Sequence, residues 1–157
     1  MVISRRSLMV VLSAPALLST GRRSLANRPR MVVYRDENCG CCGGWVNHIQ
    51  AAGFETDVQM LAQMNRKKTE LGVPPELRSC HTAVIGSYLL EGHVPAGEIL
   101  RLLDTRPYAT GLAVPRMPVG SPGMEVEGVD PDRYEVLLFH GSRTSVFATY
   151  VGAERQS

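Results

Sequence analysis

The chain has 157 residues, 44% hydrophobic and 20% charged, a balance that suits one folded domain around one core and excludes a disordered composition. Its formal charge of +2 is unevenly placed: Arg5, Arg6, Arg22 and Arg23 lie in the first 26 residues, which hold no acid, so the remainder carries about −2. That weakly acidic body argues against nucleic acid as a partner, because phosphate binding draws on clustered Lys and Arg.

Residues 1–26 read as an export signal of twin-arginine type. Ser4-Arg5-Arg6-Ser7-Leu8 supplies the paired arginines, Leu8 to Leu18 an apolar stretch, and Ser24-Leu25-Ala26 a small-x-small cleavage site. The stretch is well short of the roughly 20 residues that span a bilayer. The mature protein is therefore expected in the periplasm, not embedded in a membrane. Twin-arginine export carries folded proteins, so a metal site filled before crossing is compatible with it.

A single domain is expected over residues 31–152. Met31–Asp36 reads as a first strand. Gly43–Ala52 reads as a first helix, with Gly53 at its C-cap side and the cysteines at its N-terminus. Phe54–Met60 alternates as a half-buried second strand, and a second helix runs from about Ala62 to Leu71 before Gly72 and Pro74-Pro75. Its Arg66-Lys67-Lys68 run reads as a solvated face. Thr82–Ile85 and Tyr88–Glu91 form a hairpin around Gly86-Ser87, and Pro95 opens a third helix, Ala96–Leu103. Gly111–Met124 reads as a long loop, followed by a second hairpin of Glu135–His140 and Thr144–Tyr150.

The order strand, helix, strand, helix, strand, strand, helix is that of a thioredoxin-like α/β core, here with an added C-terminal loop and β-hairpin. In such a sheet the third strand runs against the first. Cys80, just ahead of that strand, should then return to Cys39, Cys41 and Cys42, and Glu91-Gly92-His93 should lie on the same rim.

Cys39-Gly40-Cys41-Cys42 is a dense cluster. Adjacent cysteines pair poorly with each other, because a disulfide wants Cα atoms roughly 4.4–6.8 Å apart and neighbours are about 3.8 Å apart. Thiolates are soft ligands that select Cu(I), zinc or iron–sulfur centres. Structural zinc sites space their paired cysteines to wrap one tetrahedral ion, whereas sulfurs bridging several Cu(I) ions tolerate crowding. Copper is therefore the leading reading, with zinc as the alternative. Two others stay open. One is a metal-free thiol–disulfide oxidoreductase using the C-x-x-C pair Cys39 and Cys42, activated at a helix N-terminus. The other is a purely structural pair of disulfides in an exported domain.

Four spaced motifs together, Cys39-Gly40-Cys41-Cys42, Cys80-His81-Thr82, Glu91-Gly92-His93-Val94-Pro95 and Met117-Pro118-Val119-Gly120-Ser121-Pro122-Gly123-Met124-Glu125, make the stretch from Met31 to Tyr150 resemble a known group. This is the family of small exported metal-binding proteins of CopG type, long catalogued only as a domain of unknown function. The resemblance implies a thioredoxin-variant fold and a polynuclear copper–thiolate site on Cys39, Cys41, Cys42 and Cys80. It also implies a role in periplasmic copper resistance alongside other copper-handling proteins, with interconversion of Cu(I) and Cu(II).

Beside the cysteines, His81 is either a further ligand or a group that tunes the neighbouring thiolate. His93 is either a ligand or a local hydrogen-bonding group at the start of the third helix. Met117 and Met124 are thioethers of the kind copper carriers use for exchangeable ligation, or gap-fillers against the sheet. His48 reads as a surface histidine, His140 carries no signal, and Trp45 reads as core, with shielding of the cluster as the alternative.

Overall fold

The computed structural model describes residues 29–156; the expected export signal lies outside them. The chain forms one mixed sheet in the order β2-β1-β3-β4-β5-β6-β7-β8. Its strands are β1 (Met31–Arg35), β2 (Thr56–Met60), β3 (Thr82–Ile85), β4 (Tyr88–Glu91), β5 (Gly111–Ala113), β6 (Arg133–His140), β7 (Arg143–Val151) and β8 (Glu154–Arg155). Three helices accompany them, α1 (Gly40–Ala51), α2 (Met64–Glu70) and α3 (Ala96–Thr105), with a short 3-10 turn at Pro75–Leu77.

Alternation along the strands divides apolar side chains between two faces. Met31, Val33, Ile85, Leu90 and Leu112 join Trp45 and Ile49 of α1 and Ile99 and Leu102 of α3 in the main core. Leu89, Ala113 and Phe139 pack with Val73 and Leu77 in a smaller one. The α/β class expected from the sequence is therefore present, with packing on both sides of the sheet.

Strand direction assembles one end of the molecule. β1 and β2 are parallel, and β3 runs antiparallel to β1 with Thr82 opposite Tyr34. β4 returns antiparallel to β3 with Glu91 opposite Thr82, and β5 is parallel to β4 with Ala113 opposite Glu91. The end of β1, the start of β3, and the ends of β4 and β5 thus share one edge, where the Cys39–Cys42 segment, Cys80-His81, His93 and the segment after Val114 meet.

The expected loop over Gly111–Met124 is corrected at its start: Gly111–Ala113 is a buried strand that joins the C-terminal hairpin to the core sheet. Three residues are too few to show a period, and the flanking turn formers obscure them. β8 was likewise not expected; it pairs with the end of β7. α1 begins at Gly40, three residues earlier than the glycine pair suggested, so Cys41 and Cys42 stand in its first turn. Among the described residues no helix is long and apolar enough to cross a membrane.

Gly111 is required by close approach, because a Cβ there would lie 1.8 Å from the Leu89 carbonyl oxygen. Gly111→Ala should lower unfolding free energy by at least about 1–3 kcal/mol, the usual cost of overpacking. Urea denaturation of the metal-free protein measures this.

Candidate metal centre

The cysteines are placed by α1. Cys39 is its N-cap, with extended backbone and no side-chain capping bond, and the first turn holds no acidic residue. The unpaired N–H groups and partial positive charge of that helix end favour anionic sulfur. Cys39 and Cys42 are joined by a disulfide, while Cys41 and Cys80 are free thiols, half-buried. Cys41 Sγ lies 3.4 Å from Cys39 Sγ and 3.9 Å from Cys80 Sγ. All four sulfurs fall within 4.8 Å of one another. The expected return of Cys80 to the cluster is what the antiparallel β3 produces.

On the far side of Cys80 stand two imidazoles. His81 Nδ1 is 3.2 Å and His93 Nε2 3.1 Å from Cys80 Sγ. Cys80, His81 and His93 thus form a second group of possible ligands within 4.8 Å. His93 Nδ1 donates to the Pro122 carbonyl at 2.8 Å, which leaves the lone pair on the Nε2 that faces the sulfur. His81 packs on Trp45 at a 4.3 Å ring separation, and its buried Nε2 has no hydrogen-bond partner among the described residues. Sulfur donors of this softness, beside an orphaned buried ring nitrogen, fit a thiophilic metal ion.

Burial sets the protonation states. It holds the His81 ring well below the usual imidazole range, with His93 and Lys68 adding to the effect. It also lowers His93, against the Pro122 carbonyl and Glu125. Both rings are therefore neutral at pH 7, the form that ligates metals. The Cys80 thiol is pushed up to about 12 by burial and then by neighbouring Cys41, so metal capture there must displace a proton.

The loop after β5 lies over α1. Gly123 has φ of 83°, and a Cβ on it would sit 2.4 Å from Trp45 N and 2.9 Å from Cys41 O. Met124 follows that contact and is half-buried. Met117 is 49% exposed and lines, with Arg116, Asp132 and Tyr134, an open depression of about 670 Å³ on the hairpin side. The two thioethers thus occupy different surroundings.

Two expectations are corrected, those for Lys68 and His48, and two are extended. Glu91 and His93 lie at the cysteine end as expected, and both are fully buried there, because β5 and the following loop cover them. Lys68 is 2% exposed and pairs with Glu91 at 2.5 Å, so it is no part of a solvated face. His48 is half-buried, and its Nε2 accepts the Ala96 N–H at the start of α3. Trp45 is core, as expected, and through His81 it also forms a wall of the site, the alternative the sequence left open. Lys68 left no trace in the sequence, since it sits in a run of charges; an acid ending the apolar run Tyr88-Leu89-Leu90 was the one available signal for Glu91.

Fold and site together define a small α/β metal-binding protein with a cysteine cluster. The profile of a family described as "Protein of unknown function, DUF411" matches residues 77–124. Two solved structures titled as copper resistance protein CopG, forms 1 and 2, are 47% and 46% identical to the chain. They cover 79% and 78% of it and 99% and 98% of their own lengths, each with a TM-score of 0.73. No curated protein sequence matches. The chain belongs to the CopG family of copper-resistance proteins.

Metal uptake at pH 7 should release protons, and Cys80→Ser should reduce that release, since the thiol raised to about 12 is protonated beforehand and the imidazoles are not. Apparent affinity should rise with pH up to that value. Calorimetry in buffers of different ionisation enthalpy counts the protons.

Proposed function

We propose that the chain is an exported, periplasmic copper-handling protein that holds more than one Cu(I) ion on Cys39, Cys41, Cys42 and Cys80, and that its copper cycles between Cu(I) and Cu(II). The observation that carries this reading is the convergence of four sulfurs within 4.8 Å, two of them from adjacent residues. Cys41 and Cys42 would strain to share one tetrahedral ion with Cys39, whereas bridging sulfurs accommodate several Cu(I) ions. Kinship with proteins titled as copper resistance proteins supports copper as the cargo. The paired arginines of residues 5–6 support export.

The framework suits redox chemistry. Parallel β2 and β1 beside antiparallel β3 and β4, with packing on both faces and the cysteines at the start of α1, supports reading the framework as a thioredoxin-like core. Closing the Cys39–Cys42 bond releases two electrons and two protons, enough to reduce two Cu(II) ions, and withdraws two of the four sulfur donors. His81 and His93 are harder nitrogen donors that suit Cu(II), while the thiolates suit Cu(I), so one pocket offers ligands for both states.

The disulfide also favours a second reading, a periplasmic thiol–disulfide oxidoreductase that uses Cys39 and Cys42 alone. The two diverge at Cys80. Cys80→Ser should abolish the copper stoichiometry of the first reading, yet leave disulfide reductase activity mostly intact under the second.

Anaerobically reduced protein loaded with Cu(I) should hold more than one copper per chain by elemental analysis. Controlled oxidation should bring up a protein-bound Cu(II) paramagnetic resonance signal with histidine nitrogen coupling, reversed on reduction. One zinc and no copper would overturn the assignment of the metal. Irreversible copper loss with disulfide formation would leave only a carrier or store.

A further inference from the structure

A charged brace lies under the metal centre. Lys68 and Glu91 are 2% and 0% exposed. Glu91 Oε1 accepts from Lys68 Nζ at 2.5 Å and from the Ser79 backbone N–H at 2.6 Å. Glu91 Oε2 accepts from the Thr82 hydroxyl at 2.6 Å, and Lys68 Nζ donates to the same hydroxyl oxygen at 2.9 Å. One carboxylate thus grips the residues on both sides of the Cys80-His81 pair. Its own strand, β4, leads two residues later to His93, whose Nε2 lies 3.1 Å from Cys80 Sγ.

Stability alone is a poor account of such an arrangement. Taking two charges out of water costs about what their attraction returns, and apolar residues of similar volume commonly serve a core as well or better. The pair instead supplies something an apolar core lacks: directed bonds to Ser79 and Thr82, and a fixed cation beneath donors that become anionic when they hold metal. α2 lies outside the cysteine motifs, and the hydrogen bonds that tie Lys68 to the centre run through Glu91 and Thr82.

We propose that Lys68 and Glu91 are positioning residues of the metal centre, a buried ion pair that fixes Cys80 and His81 in the geometry for metal capture. This rests on the copper-binding reading given above. The pair is hydrogen-bonded to no ligand atom itself and holds the ligands in place through Ser79 and Thr82.

The test compares the wild type with the double variant Lys68→Met/Glu91→Gln, which removes both charges and leaves no unpaired one. Lys68→Arg serves as rescue, and Lys67→Met, on the more exposed side of α2, as control. Two quantities are read on reduced full-length protein: Cu(I) affinity in competition with a chromophoric chelator, and the alkylation rate of Cys80 in a metal-free Cys39→Ser/Cys41→Ser/Cys42→Ser background. The double variant should fold by circular dichroism, lose about 10–100-fold in Cu(I) affinity, as loss of groups that orient ligands does, and change its Cys80 alkylation rate. Lys68→Arg should recover part of both, and Lys67→Met should change neither. Should the double variant not fold, Thr82→Val, which removes only the linking hydroxyl, is read in the same way. Unchanged affinity and unchanged Cys80 rate in a folded variant overturn the proposal. A wild type that takes no copper overturns the functional reading instead, and the alkylation rate still decides the brace.

Discussion

The centre depends on β3 running antiparallel between β1 and β4, because that placement brings chain from four separate stretches to one edge. The register is tied on both sides, Thr82 opposite Tyr34 and also opposite Glu91. A slip by one residue would turn Ala83 and Ile85 out of the core and Thr82 away from the buried carboxylate. Core packing and donor placement are therefore the same constraint: the alternation that buries Ile85 also sets where Cys80 leaves the sheet.

The donors nearest that edge differ in what holds them. Cys41 and Cys42 are held by helix geometry, Cys80 by the strand that follows it, and His93 by the Pro122 carbonyl of a loop that crosses α1 at Gly123. The loop in turn is anchored through β5 to β4 and through Asp132, which accepts the Val119 N–H, to the start of the C-terminal hairpin. The hairpin is tied back to α3, where buried Glu98 accepts from Tyr150 and Arg155. The C-terminal third is thus continuous with the candidate metal centre and not an appended module.

Much of this was legible because the strongest signals were local. β3 and β4 came out at their observed bounds, since a glycine turn separates two short apolar runs. The convergence of Cys80 on the cluster followed from strand order without any knowledge of side chains. What escaped depended on tertiary cover. β5 is three residues of buried strand whose character exists only beside β4 and β6. Lys68 is indistinguishable from Arg66 and Lys67 until Glu91 is seen beneath it, and His48 is a surface histidine until α3 begins against it. Helix bounds shifted by a few residues at α1, which starts at Gly40 and not at Gly43, so the helix takes in part of the cysteine cluster.

The chain contains a single tryptophan, and it stands in the wall of the centre. Its indole is fully buried, its Nε1 is fixed to the Val94 carbonyl at 2.9 Å, and its ring lies against His81. Energy or electron transfer from an excited indole falls steeply with distance, so this indole is placed to sense its immediate neighbours, His81 among them. The protein therefore carries an intrinsic label-free fluorophore in the wall of the candidate metal centre, with no second tryptophan to dilute its signal.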